Sequence, residues 1–159
     1  MSYWQDANVF IQAKNKTYKF GRVPQFWAFL SAQLEAGTLK VPKIVYEELV
    51  KINDELATWC KARKTKGLCV HANKQVQACY QQIANHVMTK YAERHANEFL
   101  KGGDGWVIAH AMAERGIVVT QESDKPTKTK VKIPNVCKEF GVKCIDTYDM
   151  LEELDFKAN

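Results

Sequence analysis

Four acidic residues occupy similar places along the chain, and together they could bind a divalent cation. Asp6 ends a short predicted strand, and Glu122 follows the apolar segment 117–120 by two residues. Glu48 lies in the first turns of a predicted helix, and Asp104 stands at the start of another. Because ligands of open α/β folds bind at the carboxyl edge of the sheet, we expect these four carboxylates to converge there.

Hydrolysis of a phosphodiester bond is the chemistry that such a cluster serves. The scissile phosphate needs charge neutralisation and the attack needs a hydroxide at neutral pH, and Mg²⁺ or Mn²⁺ bound by carboxylates supplies both. Packed carboxylates repel one another, so a protein keeps them together where a cation offsets the repulsion. No Ser/His/Asp or Cys/His arrangement offers better chemistry, and no phosphate-binding G-x-x-x-x-G-K-[ST] loop is present. His110 lies within a predicted helix, where we expect it to pack.

Each acid also has a purely structural interpretation. Glu47 and Glu48 lie where the helix dipole alone favours acidic residues, and their side chains point about 100° apart, so at most one faces a given site. Asp104 suits the N-cap of the helix that follows it. The order of the four acids along the chain is therefore a stronger signal than any one of them.

The composition predicts one globular domain spanning residues 1–159, because 46% of the residues are apolar and 26% are charged. The absence of a long apolar run predicts no membrane span and no signal peptide, and hence a cytoplasmic location. The five cysteines lack C-x-x-C spacing, which favours reduced thiols over a zinc site. The net charge of +5 favours a polyanionic partner such as RNA.

The predicted strands and helices alternate, which indicates a parallel sheet covered on both faces. Strands are predicted at residues 1–5, 38–41, 117–120 and 142–145. Helices are predicted to begin near Pro24, Lys43, residue 74, Asp104, Val136 and Thr147. The segment 12–23 is predicted to be a polar loop, and the helix from Lys43 is predicted to continue through Ile52 and Leu56. Residues 74–100 are predicted to form one long or two shorter helices, with Tyr91 on the inward face.

A lysine-rich loop follows Glu122 directly, from residue 123 to residue 134. Its position beside the predicted acidic cluster makes it a candidate for holding substrate phosphates. The candidate RNA contacts in it are Lys125, Lys128 and Lys130.

The segments that carry the acids resemble the PIN domain, the fold of VapC-type toxins. These segments are 6–11 (DANVFI), 45–49 (VYEEL), 104–111 (DGWVIAHA) and 118–122 (VVTQE). The chain resembles most closely a bacterial PIN-like subfamily catalogued only as a domain of unknown function. Segments 24–27 (PQFW), 59–61 (WCK) and 132–137 (KIPNVC) fit that subfamily too.

The resemblance implies a three-layer α/β/α sandwich with a central, mostly parallel sheet of about five strands. It implies a Mg²⁺- or Mn²⁺-dependent endoribonuclease whose metal-binding acids are Asp6, Glu48, Asp104 and Glu122. Thr120 would place a hydroxyl near the metal or the phosphate, and Asn8 would brace the turn after Asp6. The motif Val-x-x-Glu-Leu selects Glu48 over Glu47. The resemblance further implies a toxin that is held inactive by a cognate antitoxin and that forms a homodimer.

The chain departs from the usual PIN pattern at three positions. Ala7 replaces the common Thr or Ser after the first acid, Gln5 interrupts an apolar strand, and Glu122 replaces the commoner Asp. Asp124 is an alternative or additional fourth acid. Two other functions are open: a PIN-like module that binds RNA or protein without cleaving it, and a phosphatase with Asp6 as nucleophile. In the second case Asn8 would stand where that mechanism needs an acid.

Overall fold

A four-stranded parallel sheet forms the centre of the computed structural model, which describes residues 1–157. The sheet order is β2-β1-β3-β4, and all three pairings are parallel. The strands are β1 (Tyr3–Gln5), β2 (Leu39–Lys40), β3 (Ile117–Val119) and β4 (Cys144–Ile145). The predicted domain 1–159 therefore includes two residues, 158 and 159, that lie outside the described part.

Helices connect the strands and flank the sheet, which confirms the predicted α/β fold. Within residues 1–157 the α-helices are α1 (Ala7–Gln12), α2 (Pro24–Glu35), α3 (Lys43–Leu49), α4 (Glu55–Lys61), α5 (Lys74–Lys90), α6 (Glu93–Lys101), α7 (Asp104–Glu114), α8 (Ile133–Glu139) and α9 (Thr147–Glu153). A π-helical turn, Ala13–Thr17, extends α1. Helix α5 packs against α7, where the rings of Tyr80 and Trp106 stack 3.8 Å apart.

The two central strands, β1 and β3, position the candidate site. Residues of both strands are buried, as expected of parallel strands that are covered on both faces. Their pairing continues past β1, because the backbone N–H of Asp6 donates to the carbonyl of Val119 at 3.0 Å. The backbone N–H of Thr120 likewise donates to the carbonyl of Ile145, also at 3.0 Å. Asp6 and Thr120 therefore leave the sheet side by side at its carboxyl edge.

All four strands located in the sequence are present, whereas the resemblance implied about five. Beyond β2 the described chain forms a single parallel bridge between Pro42 and Val70 instead of a further strand. Proline lacks a backbone N–H, so it cannot donate a ladder hydrogen bond at this point.

Two predicted boundaries in the first half of the chain were wrong. The segment 12–23 is partly helical, since α1 ends at Gln12 and the π-helical turn follows. The helix from Lys43 ends at Leu49, and a separate helix, α4, begins at Glu55. The carboxylate of Asp54 caps α4 by accepting the N–H of Ala57 at 2.9 Å. Ile52, through which the helix was predicted to continue, lies in the break and is 72% exposed.

Two boundaries in the last third also differ. Helix α8 begins at Ile133 rather than Val136, with a proline in its first turn, where a missing N–H costs nothing. Asp146, not Thr147, caps α9, because its carboxylate accepts the N–H of Asp149 at 2.8 Å. Thr147 is instead a buried residue of the first turn.

The hydropathy of the helices bears on membrane association. Among the described residues, no helix is both long enough and apolar enough to cross a bilayer.

The five cysteines are all free thiols, and those of Cys60 and Cys137 are buried.

Candidate active site

Asp6 lies buried at the carboxyl end of β1, where its carboxylate makes two hydrogen bonds. Its Oδ1 accepts the N–H of Ala7 at 2.8 Å and so caps α1. Its Oδ2 accepts the hydroxyl of Thr120 at 2.9 Å. The residue is 5% exposed, so the structure holds an acid in a fixed orientation with little solvent around it.

The hydroxyl of Thr120 connects the turns that follow β1 and β3. Besides donating to Asp6, it accepts the side-chain N–H of Asn8 at 3.3 Å and the backbone N–H of Glu122 at 3.1 Å. The side-chain oxygen of Asn8 accepts the backbone N–H of Gln121 at 3.0 Å. Asn8 therefore braces both turns, in keeping with the role that the resemblance implied.

Glu48 is tied to the start of α7 by one hydrogen bond. Its Oε1 accepts the backbone N–H of Gly103 at 2.7 Å, although the residue as a whole is exposed. A Cβ built on Gly103 would come 3.0 Å from this oxygen and 2.8 Å from the side chain of Val45. The close approach of α3 to α7 therefore requires a glycine here. The pair Gly102-Gly103 is the sequence signal that could have predicted this contact.

Asp104 is the first residue of α7, and Gly103 occupies the N-cap position. The interpretation of Asp104 as an N-cap was therefore wrong. Its side chain and that of Glu48 line one cavity of about 630 Å³, and the charge of Glu48 helps to raise the pKa of Asp104. Asp104 is thus placed toward the acidic cluster and not toward the end of its own helix.

Glu122 pairs with Lys130 of the lysine-rich loop. The Nζ of Lys130 lies 3.1 Å from Oε2 of Glu122, whose side chain is 10% exposed. This oxygen has no hydrogen-bond partner of good geometry among the described atoms. The other oxygen, Oε1, accepts the backbone N–H of Ile133 at 3.4 Å. A buried carboxylate oxygen with a single cation beside it is a suitable ligand for a metal ion.

The charges of the four acids act on one another. Burial raises the pKa of Asp6 to about 7, and the negative charges of Glu122 and Glu48 add to this rise, whereas hydrogen bonds from Thr120 and Ala7 oppose it. Burial likewise raises the pKa of Asp104 to about 8, with further contributions from the charges of Asp6, Glu122 and Glu48. Partial burial also raises the pKa of Glu48 from its ordinary value. The pKa of Asp104 thus responds to the charges of the three other acids that the sequence predicted.

This donor set suits a hard divalent cation in its chemistry, because every donor is a carboxylate and the carboxylates repel one another. In the present arrangement, no three His, Cys, Asp or Glu side chains of residues 1–157 lie close enough to hold a metal ion. The ammonium of Lys130 takes the place of a cation beside Glu122. To hold a metal ion, the carboxylates would have to move closer together and Lys130 would have to move away from Glu122.

The other sequence candidates lie outside this cluster. Asp124 is exposed and lines a cavity of about 280 Å³ that Thr120 and Glu122 also line. Its charge is not among those that shift the pKa of Asp6 or Asp104. Lys125 and Lys128 are exposed in the loop. The role of Lys130 as the ionic partner of Glu122 was missed, because a contact across eight residues of loop leaves no periodic signal.

His110 stacks on the indole of Trp4, with ring centroids 4.5 Å apart. Burial lowers the pKa of His110 to about 4, so the ring is neutral near pH 7. Its predicted packing role is in keeping with these contacts.

Comparison with known proteins supports the fold. The family model described as "Domain of unknown function (DUF4411)" matches residues 3–158. A search of curated protein sequences gives no match. VapBC2 from Rickettsia felis, bound to a DNA fragment from its promoter, and VapBC-1 from nontypeable Haemophilus influenzae are each similar in structure with a TM-score of 0.56 at 16% identity. FitAcB from Neisseria gonorrhoeae is similar with a TM-score of 0.53 at 17% identity. Each comparison covers 92% of this chain and 98% of the other, which confirms the predicted PIN-like fold.

Proposed function

Because the chain belongs to the family described as Domain of unknown function (DUF4411) and has a PIN-like fold, we propose that it is a metal-dependent endoribonuclease. The observation that carries this proposal is that the charges of Glu48 and Glu122 act on two buried acids, Asp6 and Asp104. The pKa values of these two acids are raised to about 7 and about 8 by burial and by the neighbouring acids. Strongly shifted acids gathered at one place are typical of functional sites.

Asp6, Glu48, Asp104 and Glu122 would hold Mg²⁺ or Mn²⁺. When bound, such an ion neutralises charge on the phosphate and lowers the pKa of an attacking water. The protein's own contribution is orientation: the Thr120 hydroxyl fixes the carboxylate of Asp6, and the Gly103 N–H fixes that of Glu48. Lys130, once it leaves Glu122, is available to a phosphate of the RNA.

Cleavage of total RNA by the purified protein tests the proposal. We expect the wild-type protein to produce discrete fragments with Mg²⁺ or Mn²⁺ and none in EDTA. Asp6→Asn keeps an oxygen for the helix cap but removes the charge, so we expect it to abolish cleavage without unfolding the protein. Asp6→Ala is expected to abolish cleavage and growth inhibition as well, although the lost cap costs about 1 kcal/mol of stability.

Asp54→Asn is the matched control, because Asp54 is also an acid that caps a helix, here α4. It makes an ion pair with Lys14 and does not belong to the acidic cluster. We expect Asp54→Asn to cleave RNA at the wild-type rate. Cleavage by Asp6→Asn at that rate would show that the acidic cluster is not the catalytic site.

A second candidate function is a PIN-like module that binds RNA without cleaving it. The ion pair between Lys130 and Glu122 favours this alternative, because it partly neutralises the cluster without a metal. Calorimetry with Mn²⁺ distinguishes the two. Binding of Mn²⁺ that is lost in Asp104→Asn supports the nuclease, whereas RNA binding without any binding of Mn²⁺ supports the module.

We further propose a cognate antitoxin as protein partner. The structural neighbours are toxin–antitoxin complexes, and their likeness to this chain extends over nearly its whole length. Growth inhibition by the expressed chain, relieved by co-expression of the protein encoded beside it, is the expected result.

Light scattering of the purified chain tests the predicted homodimer separately.

A further inference from the structure

A second cavity, of about 600 Å³, lies next to the acidic cluster and is lined by three lysines and two acids, Asp124 and Glu139. Three lysines line it, Lys90 at the end of α5, Lys130 in the lysine-rich loop and Lys138 in α8. The ring of Tyr91, in the break between α5 and α6, lies among them. The sequence predicted Tyr91 on an inward helical face, whereas the structure leaves it partly exposed at this cavity.

Lys130 connects the cavity to the acids. Its ammonium lies 3.1 Å from Oε2 of Glu122, and its charge also acts on Asp104. The same side chain contributes to the wall of the cavity. A polyanionic strand that places one phosphate at the acids therefore has a basic cavity directly beside that phosphate.

The hydrogen bonds around Glu139 hold Tyr91 in place. The carboxylate of Glu139 accepts the hydroxyl of Tyr91 at 3.1 Å, and it also pairs with Lys90 and His86. The Nζ of Lys90 lies 5.7 Å from the centre of the Tyr91 ring. The aromatic ring is thus fixed by its hydroxyl before any ligand arrives, which lowers the entropy cost of stacking a base on it.

Lys138 is the one lysine of the cavity for which the described residues show no ion pair, although Asp124 also lines the cavity. Lys90 pairs with Glu139 and Lys130 with Glu122, whereas Lys138 has no carboxylate within 4.0 Å in the described part of the chain. An exposed, uncompensated lysine next to a fixed aromatic ring suits a phosphate and a base of the same strand. The volume is that of a small-ligand pocket, which admits unstacked nucleotides of one strand rather than a duplex.

We propose that this cavity is a nucleotide subsite for single-stranded RNA, with Lys138 on a phosphate and Tyr91 stacked on a base. The strand then continues past Lys130 to the acidic cluster. This inference rests on the proposed function for the identity of the strand as substrate, but the subsite itself is tested by binding alone.

Fluorescence anisotropy with a labelled single-stranded RNA, in EDTA so that the strand stays intact, measures the affinity of the full chain. Tyr91→Leu is expected to weaken binding at least fivefold, whereas Tyr91→Phe keeps the ring and is expected to bind within twofold of wild type. Lys138→Gln is expected to reduce the slope of log K against log salt by about 0.7, the value for one phosphate contact on a single strand. Lys143→Gln is the control, because Lys143 is an exposed lysine at the opposite edge of the sheet, paired with Glu153.

Three results would overturn the subsite: no RNA binding by wild type, equal slopes for Lys138→Gln and Lys143→Gln, or wild-type affinity of a folded Tyr91→Leu. The melting temperature of each variant shows that it is folded. If the salt slope falls in Lys138→Gln but the wild-type protein cleaves no RNA in Mn²⁺, the nuclease proposal is refuted and the subsite stands. If the wild-type protein cleaves RNA but Lys138→Gln leaves the salt slope unchanged, the nuclease proposal stands and the subsite is refuted.

Discussion

The hydroxyl of Thr120 holds together the two turns from which the candidate site is built. It donates to Asp6 and accepts from Asn8 and from the backbone of Glu122. A buried group that loses its partner costs more than the partner contributed, because it cannot regain water. Thr120 therefore stabilises the site through three groups that have little access to solvent.

We expect Thr120→Val, which keeps the shape but removes the hydroxyl, to lower the free energy of unfolding by about 1 to 3 kcal/mol. Urea unfolding of the purified variants measures this change. Thr120→Ser keeps the hydroxyl and is the control, expected to lose less than half as much. Equal losses in both variants would show that the methyl group, and not the hydrogen bonds, is what stabilises the turns.

Lys130 competes with a metal ion for Glu122. The ammonium is mostly exposed, so its pair with the carboxylate contributes at most about 1 kcal/mol. A divalent cation must displace it, so we expect Lys130→Met to bind Mn²⁺ up to about fivefold more tightly in calorimetry. Lys125→Met, in the same loop, is expected to leave the affinity unchanged. Weaker Mn²⁺ binding by Lys130→Met would mean that Lys130 organises the acids instead of competing for them.

At the level of elements, the approach of α3 to α7 sets the position of Glu48. We expect Gly103→Ala to destabilise the protein by about 1 to 3 kcal/mol, because its Cβ would stand 2.8 Å from Val45 and 3.0 Å from Oε1 of Glu48. It should also impair cleavage by moving Glu48. Gly21→Ala is the control, since nothing lies within 4 Å of a Cβ there, and thermal unfolding compares the two. Equal melting temperatures of Gly103→Ala and Gly21→Ala would show that α3 and α7 can move apart without loss of stability.

The strands could be predicted from the sequence because each is short and lies between segments with helical spacing or turn residues. Ile117–Val119 is the clearest case, since both of its faces are buried. Asp6 and Glu122 could be located because each follows a strand, and Asp104 because it begins α7. Glu48 was expected in the first turns of its helix, but α3 is short and Glu48 lies in its last turn. The break between α3 and α4 could not be predicted, because the apolar spacing continues through Ile52 while the cap at Asp54 starts a new helix. Contacts such as Lys130 to Glu122 depend on the path of a loop, which carries no periodic signal.

The electrostatics of the whole molecule predict how its stability depends on pH. Asp6 and Asp104 have folded pKa values of about 7 and about 8, above the ordinary value, so the folded state binds more protons and stability falls as pH rises through these values. His110 acts in the opposite direction, because its folded pKa is about 4 and the unfolded state takes up its proton below about 6.5. The effect of the acids is therefore isolated between about pH 6.5 and pH 8.

In EDTA we expect the metal-free protein to lose about 2 kcal/mol of stability between about pH 6.5 and pH 8. Over these roughly 1.5 pH units the folded state binds on average about one proton more than the unfolded state, and each such proton costs about 1.36 kcal/mol per pH unit. In Asp104→Asn only Asp6 still titrates in this range, so we expect the loss of stability to fall to about 0.8 kcal/mol. Chemical unfolding at a series of pH values measures both proteins. A wild-type profile as flat as that of Asp104→Asn would show that the acids are better solvated than their burial indicates.

Saturating Mn²⁺ should reverse the slope for the wild-type protein. A metal ion needs ionised carboxylates, so it competes with protons and stabilises the folded state more as pH rises from about 6.5 to about 8. Asp104→Asn lacks one of the four acids, and we expect it to gain little from Mn²⁺ at any pH in this range. If Mn²⁺ stabilises neither protein, the buried acids are neutralised by protonation and not by a metal ion. The chain would then be an RNA-binding module and not a nuclease.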